Sequence, residues 1–60
     1  MDKQTLIEEI EKYLTRVSYL KPAPTDYMLK IMDFKEVIQA TEDEAELAAF
    51  AAAWERIKNA

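Results

Sequence analysis

Cysteine, histidine and glycine are all absent from this chain of 60 residues. Without cysteine the chain cannot form a disulfide, and without cysteine or histidine it lacks the usual ligands of a structural zinc site. A chain this short buries only about 60% of the surface that its unfolded form exposes, so it needs another source of stability. Well-packed helices and association with a second subunit are the two sources that remain.

The composition is that of a folded protein. Half of the residues are hydrophobic and a third are charged, and the apolar positions are too regular for a disordered chain. No stretch reaches the ~20 apolar residues of a membrane span. The first residues lack the basic region and apolar core of a signal peptide, which together with the absence of cysteine predicts a cytoplasmic protein.

Apolar residues recur at spacings of three and four in three segments. This periodicity predicts helices over about residues 3–20, 26–39 and 42–58. The expected core positions of the first helix are Leu6, Ile7, Ile10, Tyr13, Leu14, Val17 and Leu20. Those of the second are Tyr27, Ile31, Phe34 and Ile38, and those of the third are Leu47, Phe50, Trp54 and Ile57.

Local signals place the ends of these helices. Asp2, or Thr5 with Glu8 in a capping box, is expected to cap the first helix. The prolines in the segment 21–24 disfavour helical geometry and predict an extended connector. Thr25 or Asp26 is expected to cap the second helix, and a capping box of Thr41 with Glu44 is expected to begin the third.

The predicted fold is all-α, with one helical domain over residues 1–60. Short connections between antiparallel helices favour a small three-helix bundle. A helical hairpin plus a short helix, completed by dimerisation, is the alternative.

The chain offers little chemistry for a metal, cofactor or catalytic site. The acidic run Glu42, Asp43, Glu44 and Glu46 lacks the glycine of a calcium loop, and it fits a helix start, where the dipole favours negative charge. The single serine, Ser18, has no histidine to activate it. The sequence therefore predicts no enzyme activity, no metal or cofactor and no small-molecule substrate.

The net charge of −4 is concentrated in the second half, where residues 31–60 carry seven acids and three bases. Such a chain is repelled by phosphate backbones, so direct nucleic-acid binding is not expected. A DNA-binding helix-turn-helix is therefore the least favoured function. An alternative function is an acidic inhibitor that occupies the basic surface of a nucleic-acid-binding protein. The acidic run at residues 42–46 would then supply steering charges.

Some apolar residues miss the predicted core faces. Leu29 lies opposite the core face of the second helix and Met32 lies about halfway around it, so both are expected to form a patch for a protein partner. Phe50, Trp54 and Ile57 are expected anchors if the core continues across a dimer interface. The leading prediction is a non-enzymatic protein–protein interaction or regulatory module that self-associates as a homodimer.

Overall fold

The computed structural model describes residues 2–60, which form three α-helices. Helix α1 spans Lys3–Ser18, α2 spans Thr25–Ala40 and α3 spans Glu44–Lys58. The helices pack as a small three-helix bundle, and no strand occurs among the described residues. The predicted all-α fold class is therefore confirmed. None of these helices combines the length and the apolar composition needed to cross a membrane.

The core lies between the three helices and follows the apolar periodicity of each. Ile10 of α1 and Ile38 of α2 are 0% exposed, and Trp54 of α3 is 1% exposed. The other buried members of the core cluster are Leu6, Ile7 and Ile31, with Tyr13, Leu14, Phe34, Leu47, Phe50, Ala51 and Ile57 half-buried around them. Packing of these faces closes the bundle within a single chain.

Aromatic rings join the three helices on the inside of the bundle. Trp54 meets the ring of Tyr13 edge-on, with centroids 5.2 Å apart, and stacks against Phe34 at 6.5 Å. Phe34 in turn meets Phe50 edge-on at 5.7 Å. Such pairs add to the burial of their apolar surface. Tyr13 and Tyr27 share a hydroxyl–hydroxyl hydrogen bond of 2.9 Å, which raises the pKa of Tyr27. Tyr27 itself is 39% exposed, so its predicted core position is wrong.

Helix α1 begins at the predicted cap and ends earlier than predicted. The Asp2 carboxylate accepts a hydrogen bond of 2.8 Å from the backbone N–H of Thr5, which lowers the pKa of this carboxyl group. The last α1 residue is Ser18, and Leu20 donates a turn-type hydrogen bond to the Val17 carbonyl. Leu20 is 57% exposed, so its predicted core position is wrong.

The predicted caps of α2 and α3 are both wrong. Neither Thr25 nor Asp26 caps α2, because Thr25 is already its first residue and Pro24 occupies the cap position. Thr41 does not form a capping box with α3; its hydroxyl donates to the Val37 carbonyl at 2.7 Å and so belongs to the end of α2.

Asp43 takes the place predicted for Thr41. Its carboxylate accepts the backbone N–H groups of Ala45 at 2.8 Å and Glu46 at 3.3 Å. The helix consequently begins at Glu44, two residues later than predicted. A carboxylate at this position both satisfies free backbone donors and complements the helix dipole.

Candidate functional site

Two apolar side chains stand out on the solvent side of α2. Leu29 is 53% exposed and Met32 is 42% exposed, and they lie three residues apart on one side of the helix. We call this pair the α2 patch. Asp33 lies four residues after Leu29, and Glu36 lies four residues after Met32. Both acidic residues are exposed, and each lies one helical turn beyond its apolar neighbour. The outer side of α2 therefore carries an apolar pair and then an acidic pair, with Val37, which is 51% exposed, one turn beyond Asp33.

The three predicted anchors of α3 face inward. Trp54 is buried in the core of the single chain, and Phe50 and Ile57 are half-buried against the same cluster. Phe50 and Ile57 are partly accessible to a second molecule, whereas Trp54 is 1% exposed. A shared core across a dimer remains a prediction for these residues.

All four residues of the acidic run are exposed at the start of α3. Asp43 is engaged as the helix cap, while Glu44 and Glu46 lie in the first turn. No group of three or more acidic side chains placed to hold a metal ion occurs among residues 2–60. The run therefore combines a capping role with a concentration of negative charge at one end of the bundle.

A polar contact joins α3 to α1 near the C-terminal end of α3. One oxygen of Glu9 accepts the indole N–H of Trp54 at 3.3 Å and the ammonium group of Lys58 at 3.0 Å. Lys58 also contacts Glu55 at 3.0 Å. Hydrogen bonding from Lys58 lowers the pKa of Glu9, and hydrogen bonds to Glu55 and then to Glu9 raise the pKa of Lys58. Glu9 thus links the buried tryptophan to the charged surface.

Glu9→Gln is expected to lower the melting temperature at neutral pH, because the amide keeps an oxygen for Trp54 but loses the charge that binds Lys58. The folded pKa of Glu9 lies below its ordinary value of 4.5. Its contribution to stability is therefore complete above that value and is lost as the pH falls through the lowered pKa. The melting temperatures of the two proteins, measured by circular dichroism from pH 7 downward, should converge in acid.

Glu36→Gln is the control for this experiment, because it removes an exposed carboxylate that forms no ion pair within residues 2–60. It should change the melting temperature little at pH 7. Equal melting temperatures of Glu9→Gln and the unaltered chain at pH 7 would show that the contact does not stabilise the fold.

The seam between α1 and α3 holds two open grooves. The first, of about 700 Å³, lies where both helices begin, and we call it the acidic groove. Its charged lining residues are Asp2, Lys3, Glu42 and Glu44, and its apolar lining residues are Leu47, Ala48 and Ala51. Three carboxylates and one ammonium group leave this groove with two net negative charges.

The second groove, of about 330 Å³, lies further along the same seam, and we call it the basic groove. Its charged lining residues are Glu9, Lys12, Arg16 and Lys58, with Tyr13, Trp54 and Asn59 beside them. Among these lining residues three cations and one carboxylate give two net positive charges, although Glu55, which pairs with Lys58 at 3.0 Å, lies beside them. The charge of the seam therefore changes sign along its length.

The sequence predicts the α2 patch but does not predict the basic groove. The exposure of Leu29 and Met32 agrees with their positions on a helical projection. Lys12 and Arg16 stand four residues apart, a spacing that puts them on one side of a helix, but their proximity to Lys58 depends on how α1 and α3 pack. The basic pair at this spacing is a sign of the groove that the sequence does carry, but the sequence does not place Lys58 beside it.

No family model, curated protein or solved structure matches this chain.

Proposed function

We propose that this protein is a non-enzymatic helical interaction or regulatory module that binds another protein through the α2 patch. The observation that carries the proposal is the exposure of Leu29 and Met32, one turn apart, on a bundle whose core closes without them. Single exposed apolar residues are common on folded proteins, whereas an adjacent pair offers a continuous apolar contact. The flexible side chain of methionine also adapts to a partner surface.

The acidic pair beside the patch defines the chemistry of the partner. Asp33 and Glu36 lie one turn beyond Leu29 and Met32, and both are exposed. A complementary segment presents apolar anchors to the patch and lysine or arginine one turn away, which is the pattern of an amphipathic helix docked on a helix face. The apolar contact supplies affinity, while the flanking charges fix orientation and exclude wrong partners.

Affinity capture with the double variant Leu29→Asp/Met32→Lys tests this function. Proteins retained by the unaltered chain should be lost by this variant, while its far-UV circular dichroism stays helical. Tyr19→Lys/Leu20→Asp is the matched control, since it changes two other exposed apolar residues that lie outside the helices. The control should retain the same proteins.

Two outcomes would remove the α2 patch as the binding site. One is retention of the same proteins by Leu29→Asp/Met32→Lys, and the other is equal loss by the control variant. A direct measurement then follows on whichever protein depends on the patch: its Kd should rise by at least about tenfold in the patch variant, as expected when central contacts of an interface are replaced by charges.

A further inference from the structure

We propose that a second copy of this chain docks antiparallel on the α1–α3 seam, so that the acidic groove of each copy faces the basic groove of the other. This interface does not include the α2 patch. The proposal depends on the self-associating part of the predicted function, but partner binding through the patch can fail while this interface stands, and the reverse is also true.

The acidic groove supplies one half of the contact. Glu42 and Glu44 are exposed at its edge and form no ion pair within residues 2–60. Its lining is partly apolar, since it includes Leu47, Ala48 and Ala51. Small alanine side chains let another molecule approach closely, and the surrounding carboxylates select a cationic one.

The basic groove supplies the other half. Glu9 already accepts hydrogen bonds from Lys58 and Trp54, so this groove's only carboxylate is engaged inside the chain. Lys12 and Arg16 are exposed and form no ion pair within residues 2–60. These two cations are therefore available to an anionic surface.

The spacing of the grooves favours a two-fold pair over other arrangements. Both grooves lie along one seam, and Glu44 and Lys58 are fourteen residues apart on α3, which corresponds to about 21 Å of helix. Two antiparallel copies place opposite charges together twice, whereas two parallel copies place like charges together. In a head-to-tail arrangement, each pair of neighbouring copies forms only one contact between an acidic and a basic groove. The copies at the two ends then each keep one groove unoccupied.

The size of the seam indicates a weak dimer. Two helices of about 10 Å diameter and a length of about 21 Å give a footprint of roughly 400 Å² per copy, or about 800 Å² in total, which is below the roughly 1,200 Å² of the smallest stable interfaces. The dimer is therefore expected to form at high protein concentration and to weaken as salt screens the charges.

Charge reversal tests the interface directly. In one variant Glu42→Lys/Glu44→Lys makes both ends of the seam basic, and in the other Lys12→Glu/Arg16→Glu makes both ends acidic. Asp43 stays unchanged, so the cap of α3 is preserved. By light scattering over roughly 10 μM to 1 mM, the range of a weak complex, the average mass of the unaltered chain should rise above its 7.0 kDa. Each reversed variant alone should dimerise at least about tenfold more weakly.

The equimolar mixture of the two reversed variants is the decisive sample. In that mixture a fully basic seam meets a fully acidic one, so both contacts are restored and the mass should rise again. Misfolding of either variant cannot produce this rescue. Leu29→Asp/Met32→Lys is the matched control and should dimerise like the unaltered chain.

Several results would overturn the proposal. The unaltered chain could stay monomeric at the highest concentration, or its dimer could be indifferent to both reversals. Loss of the dimer in Leu29→Asp/Met32→Lys, with helicity retained, would place the self-interface on the α2 patch. A monomer that instead binds an arginine-rich decapeptide through Glu42 and Glu44 would assign the acidic groove to a basic partner in place of a second copy.

Discussion

Trp54→Ala is expected to remove much or all of the free energy that stabilises the bundle at room temperature. Trp54 is 1% exposed and contacts aromatic rings of both other helices. Replacing a buried tryptophan by alanine costs about 3–5 kcal/mol, and a domain of this length has a total free energy of unfolding of about 3–9 kcal/mol. The loss therefore takes up much or all of the stability. Far-UV circular dichroism of the variant, with a urea titration of the unaltered chain for reference, measures it.

Trp54→Phe separates the two roles of this side chain. Phenylalanine keeps an aromatic ring against Tyr13 and Phe34 but cannot donate the indole hydrogen bond to Glu9. This variant should fold, with a melting temperature between those of the unaltered chain and Trp54→Ala. A Trp54→Ala protein that unfolds cooperatively at nearly the original urea concentration would show that α3 is not held through this residue.

Ile38→Ala is expected to destabilise the bundle by about 2–5 kcal/mol, the usual cost of removing a buried isoleucine side chain down to its β-carbon. Ile38 is 0% exposed and belongs to the core cluster formed with α1 and α3. The midpoint of urea unfolding, followed by the fluorescence of the single tryptophan, reports the change. It should fall without a comparable change in the slope of the transition, since the surface exposed on unfolding stays similar.

The neighbouring residue supplies the control for Ile38. Val37 lies on the same helix and is 51% exposed. Val37→Ala removes little buried surface and replaces a β-branched residue by the best helix former, so it should be neutral or slightly stabilising. Equal destabilisation by the two substitutions would contradict the position of α2 in the bundle.

Apolar periodicity was enough to predict the helices and the centre of the core. Ile10, Ile31, Ile38 and Trp54 all lie on the predicted faces, because a helix with a period of 3.6 residues has only one way to bury residues at these spacings. The same projection predicted the exposure of Leu29. These features depend on local helix geometry, which the spacing of apolar residues in the sequence is enough to predict.

Helix ends were less predictable because several side chains compete for the same backbone groups. Thr41 and Asp43 both suit a helix start, and the outcome depends on Thr41 donating to the last turn of α2 while Asp43 accepts from α3. Leu20 fits the α1 pattern, yet the helix ends at Ser18. Each hydrogen bond of this kind contributes only about 1 kcal/mol, so the sequence pattern does not resolve which of them forms.

The two grooves could not be predicted from the sequence. The basic groove requires Glu9 to meet Trp54 and Lys58, residues 45 and 49 positions away, and the acidic groove requires the starts of α1 and α3 to lie together. The relative placement of α1 and α3 decides whether Lys12, Arg16 and Lys58 line one groove or three separate surfaces. Packing, and not residue type, therefore creates the change of charge along the seam.

The position of the α2 patch relative to the seam has a consequence for binding strength. Leu29 and Met32 line neither groove, and the grooves are lined chiefly by α1 and α3. Two chains joined along the seam would each keep a patch directed outward, so the pair would be bivalent. A partner that displays two matching segments would then bind the second at a high effective concentration, which can raise the overall affinity by about 10²–10⁴ without a new contact. A modest surface on one chain of 60 residues could in this way support tight binding to a repeated or dimeric target.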